Sequence, residues 1–261
     1  MPALAMAGIR FVIGAGVVWA AALFAGVGAR VPAAQMRGLA GLALLFVVQI
    51  GLLNVGTDYT TAGRSTVLIS AYPFFIALFA HFYIPGDRLN PSKALGLGFS
   101  FAGVMFILGP SLVLRQTEYL LGDALVLLSG ALLGLRQVVL KRLVQGLHTY
   151  QVLFWQAVLS LPLFAGLSLI FEGGGQYDLT WTVIIAVLYQ GLVVAGLCFI
   201  LWVFLLQHHS ASRLGVYGFV TPVIGVLLSQ VLLQEPLTWE LLASMGLVAA
   251  GIAVANRGSE K

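Results

Sequence analysis

The sequence predicts an all-α polytopic membrane protein, and three observations lead there. Residues of the AVILMFWYC class make up 60% of the 261 positions. Charged residues fall to 8%, where about 25% is usual in soluble domains. Mean hydropathy is +1.02, and the sparse charges divide the chain into nine apolar stretches, each near the roughly 20 residues that cross a hydrocarbon core. A soluble enzyme, a disordered protein and a nucleic-acid binder are poor readings of such a chain. The net charge is +4, but its 13 Lys and Arg are scattered and form no basic patch. A lone cysteine, Cys198, excludes an intramolecular disulfide and a Cys-based metal cluster.

Each Asp, Lys or Arg at a span centre costs about 2.5–3.5 kcal/mol, so charges mark where the chain surfaces. The first span, about residues 3–27, contains Arg10, read as an interface anchor. The second, 37–57, carries the amides Gln49 and Asn54, and the third, 65–84, has Tyr72 and Pro73 near its middle. The fourth, 93–113, follows Asn90, a good N-cap, and Pro91, suited to a first helical position. The fifth, 121–142, opens with Gly122 and Asp123 and contains Arg136. Trp155 and Gln156 lie in the sixth, 150–171, and Gln190 lies in the seventh, 180–206. Tyr217, Thr221 and Pro222 belong to the eighth, 213–234, and the capping residue Thr238 precedes the ninth, 239–256. Residues 257–261 form a short tail. Sorting the basic residues by alternate connections puts ten on one side and three (Arg10, Arg64, Arg115) on the other. That bias predicts a multi-pass inner-membrane protein with a cytoplasmic C-terminus and an outside N-terminus.

The chain also resembles itself. At an offset of 149, Ala62, Arg64, Val67, Pro73 and Leu78 meet Ala211, Arg213, Val216, Pro222 and Leu227. At 148, Asp87, Leu89, Gly98 and Gly103 meet Glu235, Leu237, Gly246 and Gly251. The matched spans, third and eighth, are five crossings apart and so run in opposite directions. This predicts two inverted-topology repeats, residues 1–113 and 121–256, with four and five helices. The repeat places a partner for the fifth span upstream of residue 1, so Met1 is expected to be an internal start or the start of a shortened family member.

The run AGRSTVLISAYPFFIALFAHFYIPGDRLNPSKALGLGFSFAGVMFIL, and its counterpart SASRLGVYGFVTPVIGVLLSQVLLQEPLTWELLASMGLVAAGIAVA, resemble halves of EamA-type transporters of the drug/metabolite transporter superfamily. PALAMAGIRFVIGAG resembles that family's second helix, and LGDALVLLSGALLGLRQVVLKRL its sixth. The resemblance implies ten helices in two inverted halves and movement of small metabolites, often outward. The sequence departs from the pattern in lacking the first helix, in Asp87 for a usual Glu, and in Ser244 where Gly is frequent.

Pro73 and Pro222 are candidate hinges, because proline removes a backbone hydrogen bond and kinks a helix; passive kinks are the alternative. Tyr72 and Thr221 sit beside them. Tyr217, Thr221, Gly225 and Ser229 recur every four residues, forming a stripe that either lines a substrate path or lets helices approach. Arg136 either faces a cavity, favouring anionic substrates, or snorkels to the cytoplasmic interface. Asp123 meets the helix dipole or couples protons. Candidate substrate contacts are Tyr72, Tyr217, Thr221, Arg136, Gln190, Trp155 and Asn54. His208 and His209 are read as interfacial, and no metal or cofactor site is expected. No ATP-binding motif, nucleophile elbow or paired-carboxylate arrangement appears. The expected partners are the lipid bilayer and a small-molecule substrate, with no nucleic acid; a homodimer is compatible. The reading is therefore a secondary transporter working by alternating access, with export as the expected direction. The alternative is a membrane scaffold without transport activity.

Overall fold

A computed structural model describes residues 2–84, 91–113, 118–173, 180–208, 220–234 and 236–257. Every regular element among them is helical. Six helical stretches are long and apolar enough to cross a membrane, and three shorter apolar helices accompany them.

Helix α1 (Ala3–Phe24) stops short of the predicted end at 27 because Gly26 adopts φ +67°. Val27 N–H then reaches Ala22 O at 2.8 Å and Gly26 N–H reaches Leu23 O at 3.1 Å, the paired bonds of a Schellman close that only a residue tolerant of left-handed backbone supplies cheaply. Helix α2 covers Ala33–Asp58.

The third span is not the single kinked helix expected. An unbroken helix would need residue 73 to donate its N–H to the Ile69 carbonyl, and proline has none to give. Helix α3 (Ala62–Ile69) therefore ends at Ile69, Ser70 and Ala71 form a turn, and α4 (Tyr72–Tyr83) restarts with Pro73 in its first turn.

Helix α5 (Pro91–Val113) begins at the predicted proline, and α6 (Leu120–Leu143) carries Asp123 in its first turn and Lys141 and Arg142 in its last. Helix α7 (Thr149–Phe171) starts in a capping box between His148 and Gln151. The seventh span is α8 (Trp181–Tyr189), a π-helical segment Gln190–Cys198, and α9 (Phe199–His208). Then come α10 (Val220–Leu233) and α11 (Trp239–Arg257). Thr238 caps α11 as expected, accepting from Leu241 N–H at 3.3 Å.

The described chain forms two compact units, and the division falls within α2 and α6. Unit 1 holds residues 1–51 and 139–208. Its core is Leu4, Ala7, Phe11, Phe46, Ile50 and Phe164 with their neighbours, and Phe11 meets Phe46 edge-on at 4.5 Å. Helix α1 packs on α7 and on the π segment. That second contact requires glycine. A Cβ on Gly191 would lie 2.7 Å from Ile13 Cβ, and one on Gly196 would lie 2.8 Å from Val17 Cβ. These two glycines are five residues apart, and i→i+5 closure brings them toward one face where an α-helix would not.

Unit 2 holds residues 52–138 and 209–261. Its core includes Val67, Leu68, Val104, Val126, Val226 and Val248. Helix α5 lies along α11, and α3 lies along α10. Gly103 meets the α11 backbone so closely that a Cβ would sit 2.9 Å from Ser244 O, and Ser244 Oγ donates to Gly103 O at 2.5 Å.

Candidate functional site

Two features of unit 2 and one of unit 1 place polar groups within spans. The first surrounds the helix break. With Pro73 unable to donate, the Ile69 carbonyl loses its helical partner. Gly130 of α6 lies beside it, where a Cβ would be 3.6 Å from Leu68 O and 3.7 Å from Ile69 O. One turn on, Gly134 meets α4, where a Cβ would be 2.6 Å from Phe75 Cβ. Helix α6 is therefore held along both sides of the break by glycines.

The second feature joins the start of α6 to the start of α3. A Cβ on Gly122 would lie 2.5 Å from Tyr59 O, so only glycine lets α6 rest against the α2–α3 turn. That contact delivers Asp123, completely buried, to Arg64. The carboxylate pairs with Arg64 through Nη2 and accepts from Arg64 Nε at 3.2 Å and from Thr60 Oγ1 at 2.7 Å. The Arg64 guanidinium also lies 5.4 Å from the centroid of the Tyr119 ring. A cavity of about 140 Å³ opens beside this pair, lined by Thr61, Arg64, Tyr119, Thr238, Glu240 and Leu241 among others.

In unit 1, Arg10 Nη1 donates to Gln190 Oε1 at 3.1 Å, and the guanidinium lies 4.7 Å from the Phe11 ring centroid. A larger groove, about 440 Å³, lies between α1 and α7; its lining is apolar apart from Ser168.

The candidate residues divide between the units. Trp155 and Gln190 belong to unit 1; Asn54, Tyr72, Pro73, Arg136, Thr221 and Pro222 belong to unit 2. Tyr72 and Pro73 open α4, half-buried, and Asn54 is half-buried in α2. Arg136 is 8% exposed, so protein encloses its side chain. Trp155 Nε1 donates to Ala29 O at 2.8 Å, and Gln151 Nε2 reaches Gly28 O and Arg30 O at 2.9 Å, so this end of α7 ties down the α1–α2 connection. Thr221 and Pro222 have helical backbone in α10, but their side chains, Tyr217 altogether, His209 and Asn90 lie outside the described residues. In the small-residue stripe, Gly225 packs on Thr66, and Ser229 is buried with Oγ donating to Val226 O at 2.9 Å. Both are packing positions.

Sequence reasoning missed the Asp123–Arg64–Thr60 cluster and the Arg10–Gln190 pair. A signal existed for each. Odd-numbered spans start on one face, so Arg64 and Asp123, each at the start of one, share a level. Arg10 and Gln190 lie at similar depths of two others.

Helices of membrane-crossing length, a broken span and ion-pairing groups at span level define a multi-pass helical membrane protein. The chain belongs to the EamA-like transporter family, whose pattern matches residues 1–109 and 120–257. It is 28% identical over 259 residues to an uncharacterized transporter of Archaeoglobus fulgidus, covering 97% of this chain and 88% of that one. It is 26% identical over 265 residues to a probable amino-acid metabolite efflux pump of Salmonella typhimurium, covering 97% and 85%. A solved crystal structure shares the fold with a TM-score of 0.75 at 23% identity, covering 100% of this chain and 90% of that chain.

Proposed function

We propose that this protein is a secondary carrier that moves small metabolites across the inner membrane, outward, by alternating access between two inverted halves, residues 1–113 and 121–256. The C-terminus is cytoplasmic in this reading. Family membership supports transport, and the Salmonella relative's name supports export. The observation that carries the mechanism is the break at Ser70–Ala71. Interrupted helices are where carriers bend and where backbone carbonyls meet a substrate.

The make-up of the units supports the inverted halves. At the offset of 149, α1 corresponds to α7 and α2 to the α8–α9 stretch, and these share unit 1 except for α2 beyond Gly51. Helix α4 corresponds to α10 and α5 to α11, and these share unit 2. A pseudo-two-fold axis in the membrane plane brings counterparts together in this way. Pro73 and Pro222 act as hinges. Asn54, Tyr72, Arg136, Gln190, Tyr217 and Thr221 contact the solute, while Trp155 serves the α1–α2 connection.

Flux of metabolites in proteoliposomes tests the proposal. The wild-type chain is expected to move at least one small solute. Pro73→Ala, which lets α3 run into α4, is expected to stay folded and to lower flux about tenfold, as hinge changes do. Unchanged flux in that variant contradicts the mechanism, and absence of any wild-type flux contradicts the carrier.

A further inference from the structure

Arg10 is a cation inside a span, and among the described residues it has no ion-pair partner. It lies seven residues beyond Ala3, and Gln190 lies nine beyond Trp181. At 1.5 Å per residue, these groups sit about 10 and 13 Å along their helices, well into a hydrocarbon layer about 30 Å thick. A guanidinium at such depth is costly to insert and calls for a polar or anionic partner. The described part of unit 1 has one carboxylate, Glu172. That group is committed elsewhere: its oxygens accept from Leu4 N–H at 2.7 Å, Ala5 N–H at 3.0 Å and Ser168 Oγ at 2.9 Å.

Beside Arg10 stands the amide of Gln190. Gln190 Oε1 is taken by Arg10 Nη1, and this turns the amide –NH₂ of Gln190 away from the guanidinium. Among the described residues, neither that –NH₂ nor Arg10 Nη2 makes a hydrogen bond, and neither is sealed from its surroundings. Arg10 Nε is buried and likewise without an acceptor. Gly191 and Gly14, which let the two backbones approach, hold the pair together at the start of the π segment. One positive charge and several N–H groups with no acceptor match a carboxylate in number and polarity.

We propose that Arg10 and Gln190 form an oxyanion-binding subsite that takes the carboxylate of a small solute. This rests on the carrier reading above and narrows its substrates to carboxylate-bearing metabolites. A lipid phosphate offers related chemistry, but it belongs at the helix ends and not 10 Å below them.

The test is thermal stabilisation of the purified protein in neutral phosphatidylcholine nanodiscs by acetate, benzoate, succinate and alanine, each compared with its amide. At least one carboxylate is expected to raise Tm where its amide does not. Arg10→Gln is expected to weaken that binding about tenfold or more, as loss of a charged hydrogen-bond donor does. Arg10→Lys, which keeps the charge, is expected to lose less. No shift with any carboxylate, or a shift that survives Arg10→Gln, overturns the subsite. So does an Arg10-dependent shift that comes only from adding anionic phosphatidylglycerol, since the oxyanion is then the lipid's. Gln190→Leu serves as a second variant should Arg10→Gln fail to fold, with the same loss expected. Flux that persists unaltered in Arg10→Gln proteoliposomes contradicts the subsite alone; absent flux in the wild type contradicts the carrier reading instead.

Discussion

Asp123 is enclosed on every side, and its charge is tolerable because Arg64 and Thr60 surround it with donors. Breaking a buried pair leaves one charge without its partner, at a cost of about 3–5 kcal/mol, whereas replacing both charges with apolar residues is often neutral. Arg64 remains partly open, at 18% exposure, so the lower end of that range applies here. Asp123→Ala is expected to destabilise by about 3 kcal/mol, read as a fall in Tm in detergent. Asp123→Asn, which keeps an acceptor for Thr60, is expected to lose less. The double variant Arg64→Met/Asp123→Leu is expected to recover most of the loss, and a double variant as unstable as Asp123→Ala contradicts this account. Asp123 at a helix start was legible in the sequence as a dipole contact. Its partner was not, because nothing local to residue 64 says which helix will lie beside it.

Helix contacts here are set by where side chains are missing. A Cβ on Gly225 would come within 2.2 Å of Thr66 Cγ2, so α10 and α3 meet as a glycine against a β-branched residue. Gly225→Ala is expected to cost about 1–3 kcal/mol by overpacking. Thr66→Ala in the same chain is expected to restore most of it, with a coupling of about 1 kcal/mol or more in the double-mutant cycle. Additive losses contradict the contact. The apolar spans were legible because charges are costly in lipid; among the described residues their ends fell within a few residues of the observed helices, and the start of the eighth span at 213 lies outside the described residues. The break and the π segment were less so. Pro162 lies inside α7 without interrupting it, whereas Pro73 ends α3, so a proline in an apolar run does not by itself announce a break. The π segment answers to Ile13 and Val17 on another helix, and no pattern within residues 190–198 announces it.

The two compact units each collect helices from both halves of the chain, and this arrangement follows if the halves are inverted copies of one ancestral fold. The repeat was legible from paired prolines, glycines and acidic residues. Most of the candidate site was not: four of the six proposed solute contacts, Asn54, Tyr72, Arg136 and Gln190, lie within spans with described side chains, but which solute they hold depends on facing groups that a linear pattern does not record. The most direct measurement uses Tyr59, which ends the second span, and His208, its counterpart at an offset of 149. Both are exposed. With Cys198 changed to serine, single cysteines at these two positions are expected to react with a membrane-impermeant maleimide from opposite sides of sealed vesicles. Labelling of both from the same side contradicts the inverted halves and the carrier mechanism built on them.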